Sequence, residues 1–366
     1  MLLFVAAKRR HEGCLHTKPR ADQHFFVESE IMSFGFLKHL FGYRRTGLGV
    51  VMAAIVGSVA GGVQADDKVT IGTSWYAQAE HGGFYQAKAT GIYKKYGLDV
   101  NIKMGGPQVN GLQLLVAGQY DFTMGYPIRN INAVKEGLPV VTVAATFQKD
   151  PQGLIVHPQV ASLEDVKGHT VLISTSARTT YWPWLKAEYG FTDDQAKPYT
   201  FSLGPFLADK ELVQQAYISS EPFAAEKGGV KPNIFLFADH GYPPYAATLE
   251  TRRDLVEEKP DVVRRFVQAT LEGWKSYLQD PQAGNALIKK DNPQMTDEQL
   301  AFGIEKLKEF GIVTGGDAGE KGIGYMSDER WKKTFDFMVE AGLVGADVDY
   351  HKAYTLEFLP QTPVLP

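Results

Sequence analysis

Cysteine is almost missing from this chain of 366 residues, in which Cys14 is the single example. One cysteine cannot form an intramolecular disulfide, so the fold is not a disulfide-stapled scaffold. Strong charge is also missing, because 38 basic and 42 acidic residues leave a formal net charge of −4. Without a broad basic surface, we expect no nucleic-acid partner. The hydrophobic share of 44% is typical of a folded globular protein, and the length favours two lobes over one.

Sequence motifs of catalysis and metal binding are missing as well. The chain contains no GxSxG nucleophile elbow, no P-loop and no HExxH pair. The histidines that follow residue 65 are too widely spaced for a close-set metal site. We therefore expect a protein that is not an enzyme and that uses no metal ion and no cofactor.

The first 65 residues have the pattern of a secretory signal peptide. Arg44 and Arg45 precede the apolar run 46–60, and a small-residue cleavage site follows that ends at Ala65. This run is shorter than the ~20 apolar residues that a membrane span needs. We therefore expect residues 1–65 to be a presequence and the mature protein to be periplasmic.

Two features of the presequence leave alternatives open. Met32 lies at a more suitable distance from the apolar run than Met1, so either methionine could be the true start. The paired arginines are compatible with twin-arginine export as well as with the general secretory route. Removal of residues 1–65 would remove Cys14 too and leave a mature chain without a thiol, which suits an oxidising compartment.

Short apolar runs alternate with amphipathic stretches from about residue 67 to residue 245. This pattern is typical of βα units that feed a mostly parallel sheet. The predicted strands are 69–73, 100–104, 121–124, 140–145, 154–157, 170–173, 199–203 and 234–238. Beyond about residue 255 the pattern predicts helices, notably over 260–278, over 327–341 and after a capping box formed by Thr296 and Gln299. No linker separates the two regions, so we expect two lobes joined by crossing strands.

The first candidate site residues lie in a polar-aromatic loop after the first predicted strand. Ligands of open α/β sheets bind at the carboxyl ends of strands, which makes this loop a candidate wall of a binding site. Trp75 offers a flat face for stacking, and His81 can donate or accept one hydrogen bond. The alternatives are packing at a hinge for Trp75 and a helix-capping role for His81.

Other predicted strand ends supply further candidates. Tyr126 follows the strand at 121–124, and Phe206 follows the strand at 199–203. Ser174, Thr175 and Ser176 precede a predicted helix at 179–188, where hydroxyl and N–H groups could hold an anion or a polar ring substituent. An ordinary helix cap would explain the same three residues.

Two more candidates depend on their position in a local element. Trp182 is one of three aromatic residues within 181–184, of which at most two can face one side of a helix. Glu221 is expected at the end of a strand that begins near residue 216, directly before Pro222. A carboxylate there could accept hydrogen bonds from an amino-substituted ring, although a solvated glutamate fits the sequence equally well.

Several motifs, taken together and in order, resemble those of exported solute-binding proteins of ABC importers. They are Trp75 with HGGFY at 81–85, GIYKKYGLDV at 91–100, LVAGQYDF at 115–122, LEDVKG at 163–168 and SEP at 220–222. The resemblance covers nearly all of residues 67–359 and is to the branch shared by sulfonate, nitrate and bicarbonate binders and thiamine-pyrimidine-precursor proteins.

This resemblance implies an α/β fold of the type II periplasmic-binding-protein kind, with mixed sheets flanked by helices and two hinge crossings. It puts residues 66–150 and 242–366 in lobe 1 and residues 151–241 in lobe 2, with crossings near 149–153 and 239–245. It further implies a monomer that closes on one small molecule and delivers it to an ABC permease in the inner membrane.

The resemblance also implies roles for single residues and a class of ligand. Trp75 and Tyr126 would stack on or edge the ligand, residues 174–176 would hydrogen-bond to it, and Glu221 would hold a ring amino group. Sulfonate-binding relatives tend to have glycine at the turn that is Ser-Thr-Ser-Ala at 174–177 here. This departure favours a heteroaromatic ligand, such as a pyrimidine thiamine precursor or a flavin, over a sulfonate or nitrate.

A related class of enzymes provides a further alternative. Thiamine-pyrimidine synthases consume one of their own histidines and a lysine-bound pyridoxal phosphate, and His81 is the nearest histidine to consider. This chain lacks the cysteine cluster of those enzymes.

Overall fold

Two mixed sheets of five strands organise the computed structural model, which describes residues 65–106, 109–199 and 202–366. The strands are β1 (Asp67–Gly72), β2 (Leu98–Lys103), β3 (Phe122–Gly125), β4 (Val140–Phe147), β5 (Gln152–Val156), β6 (Thr170–Ile173), β7 (Ala196–Pro198), β8 (Leu212–Tyr217), β9 (Asn233–Leu236) and β10 (Ala246–Arg252). The strand order is β2-β1-β3-β10-β4 in the first sheet and β7-β6-β8-β5-β9 in the second. The expected α/β class with mixed sheets is confirmed.

Each sheet combines a parallel part with an antiparallel part. In the first sheet β1 pairs in parallel with β2 and β3, whereas β10 runs antiparallel to β3 and β4. In the second sheet β6 pairs in parallel with β7 and β8, whereas β5 runs antiparallel to β8 and β9. The carboxyl ends of β1 and β3, and likewise those of β6 and β8, therefore lie at one edge of their sheet.

Thirteen α-helical segments are assigned within the described residues. They are α1 (Gly82–Ala89), α2 (Ile92–Lys95), α3 (Gly111–Val116), α4 (Pro127–Lys135), α5 (Tyr181–Tyr189), α6 (Gly204–Ala208), α7 (Glu221–Lys227), α8 (Arg253–Glu258), α9 (Pro260–Gln279), α10 (Gln282–Asp291), α11 (Asp297–Glu309), α12 (Ala318–Lys321) and α13 (Asp328–Glu340). The helices predicted over 260–278 and 327–341 are thus confirmed as α9 and α13. Thr296 caps α11, because its hydroxyl accepts a hydrogen bond from the Gln299 N–H at 3.1 Å.

Two local predictions are wrong. The strand expected over 199–203 does not form at Tyr199 or at 202–203, where an irregular segment leads into α6 instead. Residues 200–201 lie outside the described residues. Glu221 does not end a strand either, because β8 ends at Tyr217 and Glu221 is the first residue of α7. Pro222 suits that helix start, since the fixed φ of proline fits the first turn and its missing N–H costs no hydrogen bond there.

Separate apolar clusters support the two sheets. Against the first sheet, α9 buries Phe266, which stacks on Phe122 of β3 with ring centroids 4.0 Å apart. A second cluster includes Leu154 of β5 and Trp331 of α13, both with no exposed surface. This cluster also contains Ala145 of β4 and Ile131 of α4, and α13 packs on α4, so it extends from the second sheet to the first.

The chain passes from the first sheet to the second through residues 148–151, called the first crossing from here on. It returns through residues 237–245, the second crossing, which begins with a 3-10 turn over Phe237–His240. The division into lobes at residues 150/151 and 241/242 remains a prediction. None of the helices in the described part of the chain has both the length and the apolar character needed to traverse a bilayer.

Candidate ligand-binding site

The loop after β1 is held rigidly next to the first sheet. The Thr73 hydroxyl donates to the Trp75 carbonyl oxygen at 2.9 Å and accepts a hydrogen bond from the Gly105 N–H at 3.0 Å. A Cβ atom at Gly105 would lie 2.2 Å from the Thr73 carbonyl oxygen, so glycine permits this close approach. Trp75 is half-buried and meets the ring of Tyr76 edge-on, with centroids 5.6 Å apart. An aromatic pair thus stands on a fixed loop at the carboxyl end of β1.

His81 lies buried at the N-terminus of α1. Its Nδ1 atom accepts a hydrogen bond from the Gln78 N–H at 3.4 Å. Burial lowers the pKa of His81 to about 3. The imidazole is therefore neutral at physiological pH, and its position fits the helix-capping alternative. A role in ligand binding remains a prediction.

Tyr126 follows β3 and is fixed by a buried carboxylate. Its N–H donates to Oε1 of Glu250, on β10, at 3.1 Å. A Cβ at Gly125 would lie only 1.9 Å from the same oxygen, so glycine makes room for this carboxylate. Burial raises the pKa of Glu250 to about 7, and the positive charge of Arg129 partly counteracts this shift.

The turn after β6 is tied to β8 through one side chain. Oε1 of Gln215 accepts hydrogen bonds from the Ser174 N–H at 2.5 Å and from the Tyr181 hydroxyl at 2.8 Å. The Ser174 hydroxyl accepts a hydrogen bond from the Ala177 N–H at 3.3 Å, as in an ordinary capping turn. Thr175 is exposed beside it.

The helix predicted over 179–188 begins later than expected. Ser176 starts a 3-10 turn that ends at Thr179, and the α-helix itself begins at Tyr181. The N–H groups of an α-helix therefore do not start at the serine-threonine turn. This weakens the case for an anion site there, while the roles of residues 174–176 remain predictions.

Glu221 accepts two hydrogen bonds from elements of the second sheet. Its Oε2 accepts from the Tyr217 N–H at 2.8 Å, and its Oε1 accepts from the Tyr199 hydroxyl at 3.4 Å. Burial is the largest cause of a pKa raised to about 7, and the nearby charge of Glu80 adds to it. Glu221 can therefore be present as either the acid or the carboxylate near neutral pH.

Glu80 and Asp150 are further buried acids that the sequence analysis did not identify. Glu80 accepts a hydrogen bond from the Ser219 hydroxyl, and burial raises its pKa. Asp150 is fully buried in the first crossing and accepts from the Gln152 N–H at 3.0 Å, and burial raises its pKa to about 7. We call Glu80, Asp150 and Glu221 the carboxyl cluster.

Each of two tyrosines is affected by the charges of a pair of these acids. Burial is the main cause of the raised pKa of Tyr217, and the charges of Glu80 and Glu221 add to it. Burial likewise raises the pKa of Tyr181, with additions from Asp150 and Glu221. Glu80 and Asp150 lie in segments that the sequence analysis singled out, but an acid in a polar loop is usually solvated, so neither was expected to be buried.

Trp182 and Phe206 lie in apolar cores. The indole N–H of Trp182 donates to Oδ1 of Asp193 at 2.9 Å, and only 1% of the residue is exposed. Phe206 is fully buried and stacks on His157 with centroids 4.4 Å apart. Both environments favour packing over ligand contact, so their predicted binding roles have no support from the geometry.

This site is neither a metal-ligand group of the described residues nor part of the large surface groove. Within residues 65–106, 109–199 and 202–366, no group of three or more His, Cys, Asp or Glu side chains is arranged to hold a metal ion. A groove of about 1000 Å³ lies between α9 and the C-terminal segment, with Arg264, Glu272 and Leu365 among its lining residues. The carboxyl cluster is a separate feature, at the strand ends and crossings.

Two sheets joined by two crossings, with polar groups at the strand ends, define the periplasmic-binding-protein fold. The structure is similar to the periplasmic aliphatic sulphonate binding protein from Escherichia coli, with a TM-score of 0.60 at 17% identity over 82% of this chain and 94% of that protein. It is also similar to a desulfurization enzyme, with a TM-score of 0.52 at 15% identity over 80% of this chain and 97% of that one. The fold alone therefore does not separate binding from catalysis.

Sequence comparison identifies the family. The family model described as NMT1/THI5 like matches residues 78–284, and the chain belongs to this family. The chain is 27% identical over 305 residues to a riboflavin-binding protein of Chloroflexus aurantiacus, covering 80% of this chain and 86% of that protein. It is 24% identical over 289 residues to a formylaminopyrimidine-binding protein of Halalkalibacterium halodurans, covering 73% of this chain and 87% of that protein.

Proposed function

We propose that this protein is an extracytoplasmic solute-binding receptor of an ABC importer. Its ligand is a small heteroaromatic molecule, of the pyrimidine thiamine-precursor or flavin kind, held between the two lobes and released unchanged to a membrane permease. The observation that carries the proposal is the hydrogen-bonded group of Glu221, Tyr199 and Tyr217 at the strand ends of the second sheet. The names of the two relatives above support the class of ligand.

The chemistry of Glu221 suits a ring that carries both donors and acceptors. With a pKa of about 7, its carboxyl group is able to accept a hydrogen bond from a ring amino group or, when protonated, to donate to a ring nitrogen. Trp75, half-buried on the opposite sheet, provides the flat apolar face that such a ring needs. Aromatic burial and a few placed hydrogen bonds would together favour binding.

An oxyanion ligand is the second candidate, since the fold is shared with a sulphonate-binding protein. The carboxyl cluster argues against it. Glu80, Asp150 and Glu221 would each repel an anion when ionised, and such repulsion is strong where water is excluded. We infer that the neutral heterocycle is the better match to these residues.

A catalytic role as a thiamine-pyrimidine synthase is the third candidate. It would need a reactive histidine, but His81 is buried and its Nδ1 atom already accepts a hydrogen bond from the Gln78 N–H. We propose that the protein has no enzymatic activity. Adding pyridoxal phosphate to the purified protein tests this, because a stable visible absorbance from bound pyridoxal phosphate, lost on replacing a lysine, would contradict the proposal.

Ligand identity is tested by isothermal titration of the purified chain with riboflavin, a formylaminopyrimidine, taurine and nitrate. The proposal expects saturable binding of at least one heterocycle and no binding of taurine or nitrate. Binding of taurine or nitrate alone would establish the second candidate. Thermal unfolding with each compound provides an independent check, because a ligand that binds the native state raises the midpoint.

Export and delivery follow from the same proposal. The predicted signal peptide, of which residues 1–64 lie outside the described residues, supports transfer across the inner membrane. Cell fractionation of a strain that expresses the full chain should recover the protein in the periplasm. Deletion of residues 46–60 should retain it in the cytoplasm, and unchanged export after this deletion would contradict the prediction.

A further inference from the structure

Residues 312–330, called the bracket from here on, contact the first crossing. The N–H groups of Gln148 and Lys149 both donate to the carbonyl oxygen of Ile312, at 2.6 and 3.3 Å. The side-chain amide of Gln148 donates to the Tyr325 carbonyl oxygen at 2.9 Å. The backbone of the first crossing is thus fastened at two points to a segment that lies far away in sequence.

The same bracket contacts the second crossing. The Ser327 N–H donates to the Tyr245 hydroxyl at 3.1 Å. The guanidinium of Arg330 donates to the carbonyl oxygens of Pro243 at 2.9 Å and Pro244 at 3.2 Å, and it lies 4.0 Å from the centroid of the Tyr245 ring. A planar guanidinium with several fixed donors can hold two successive carbonyls and a ring at once, which a lysine ammonium cannot.

The backbone of the second crossing has a natural pivot beside these contacts. Gly241 has a φ of 95°, a left-handed conformation that glycine adopts without steric cost. Pro243 and Pro244 follow, their rings restrict φ, and Tyr242 is buried directly before a proline, so Gly241 retains most of the freedom to rotate. Arg330 donates its hydrogen bonds to the two carbonyl oxygens of Pro243 and Pro244, which follow Gly241 closely in the chain.

The two crossings are also joined to each other. Nζ of Lys149 in the first crossing lies 2.6 Å from Oδ1 of Asp239 in the second. Both side chains are partly exposed, so this ion pair contributes little to global stability. The charge of Arg330 also reaches the first crossing, where it partly counteracts the burial that raises the pKa of Asp150.

We propose that Arg330 is a positioning residue of the hinge, which fastens the second crossing to the bracket and thereby sets the range of lobe separations and the lifetime of the bound ligand. Hinge motion is absorbed by dihedral changes at a few residues, and restraining those residues restrains the motion. The inference rests on the proposed function, because ligand release requires the lobes to part. Arg330 acts on the ligand only through the backbone of the crossing.

The test measures lobe separation directly by electron-electron resonance between two spin labels. Labels are placed at Lys103→Cys on β2 and Lys197→Cys on β7, exposed residues of the edge strands of the two sheets, in the full chain with Cys14→Ser. Arg330→Gln removes the hydrogen bonds from the guanidinium to the second crossing. Lys149→Ala removes the ion pair with Asp239 that joins the two crossings. Lys332→Ala is the matched control, because it breaks an exposed ion pair with Asp336 on the same helix as Arg330.

Without ligand, we expect Arg330→Gln and Lys149→Ala to broaden the distance distribution, while Lys332→Ala leaves it unchanged. With riboflavin or a formylaminopyrimidine as probe, we expect Arg330→Gln to speed dissociation on the order of tenfold with little change in association. A distribution unchanged in Arg330→Gln would overturn the inference, even if this variant unfolds more easily.

The outcomes separate the hinge inference from the proposed function. If Arg330→Gln does not fold, Arg330→Lys replaces it, because a lysine keeps the charge but loses the paired contact with Pro243 and Pro244, and an unchanged distribution in that variant would overturn the inference. If neither probe binds the parent chain, the proposed ligand class fails. The ligand-free distance distributions would nevertheless confirm or overturn the role of the bracket.

Discussion

The hydroxyl of Ser219 donates a hydrogen bond to Oε1 of Glu80 and joins the loop after β1 in the first sheet to the turn after β8 in the second. Both residues are almost fully buried, at 2% and 1% exposure. A buried carboxylate is costly unless donors compensate for the lost water. This bond therefore makes one buried acid depend on contact between segments that belong to different sheets.

Ser219→Ala removes the donor and leaves Glu80 buried. The serine lowers the pKa of Glu80 against the larger effect of burial, so the variant should raise that pKa further. We expect a loss of about 1–3 kcal/mol in the free energy of unfolding at pH 8, and a smaller loss at pH 5, where a larger fraction of Glu80 is protonated. Urea titrations at both pH values measure the difference.

Ser220→Ala is the control for this prediction, because Ser220 is an adjacent half-buried residue whose side chain forms no cap bond to α7. It should lose less stability than Ser219→Ala and show little dependence on pH. Equal losses in the two variants would mean that the hydrogen bond to Glu80 is not the source of the effect.

The pH dependence of stability should reveal the buried acids. Burial raises the pKa of Glu250 from 4.5 to about 7, so the native state binds more protons than the unfolded state between these values. The contribution of such a group is fully present below the unfolded pKa and is lost as pH rises through the folded pKa. We expect the free energy of unfolding to fall between about pH 4.5 and pH 7 and then to level off.

Glu250→Gln isolates one group from this profile, because an amide oxygen can still accept the Tyr126 N–H. In this variant the fall in the free energy of unfolding between pH 4.5 and pH 8 should be smaller by at most about 3 kcal/mol. Asp150 and Glu221 should account for the remaining fall. Urea titrations from pH 4.5 to pH 8 measure it. Glu226→Gln, at an exposed position of α7, is the control and should leave the slope unaltered. An identical slope in Glu250→Gln and the parent would contradict the assignment.

Most strands and helices were predictable because their signals are local. β6 was predicted at its observed bounds from a short apolar run, and α9 from an apolar stripe of helical spacing. The wrong strand over 199–203 has a related cause, since a few apolar residues before Gly204 and Pro205 also suit a loop that enters a short helix.

The carboxyl cluster was not predictable, because burial is a property of distant contacts. Asp150 stands between Lys149 and Pro151 in sequence, where an acid is ordinarily solvated, yet the crossings and the second sheet remove all of its exposed surface. Trp182 shows the converse limit. Its sequence neighbourhood marks an aromatic-rich segment but does not reveal that the indole turns toward Phe191 in the core.

Trp75→Ala tests whether the half-buried indole contacts the ligand. Loss of an aromatic face should weaken binding of riboflavin or a formylaminopyrimidine at least tenfold, or about 1.4 kcal/mol, by isothermal titration. The unfolding midpoint should change little, because Trp75 is only partly buried.

Trp182→Phe is the matched control for that test. It removes the hydrogen bond from the buried indole to the exposed Asp193 and should lower the unfolding midpoint while leaving affinity nearly unchanged. Unaltered affinity in Trp75→Ala would contradict the prediction that Trp75 stacks on the ligand. A large loss of affinity in Trp182→Phe would support Trp182 as a ligand-binding residue.

Two adjacent glutamines on β8 offer a final contrast. Both side-chain polar atoms of Gln214 are buried and have no hydrogen-bond partner in the described part of the chain. Unpaired buried amides destabilise the native state, so Gln214→Met, with a side chain of similar shape, should raise the free energy of unfolding by about 1–3 kcal/mol. Gln215→Met should lower it, because the Ser174 N–H and the Tyr181 hydroxyl would lose their shared acceptor. Chemical denaturation of the pair measures both changes, and destabilisation by Gln214→Met would mean that the amide of Gln214 is in fact hydrogen-bonded in solution.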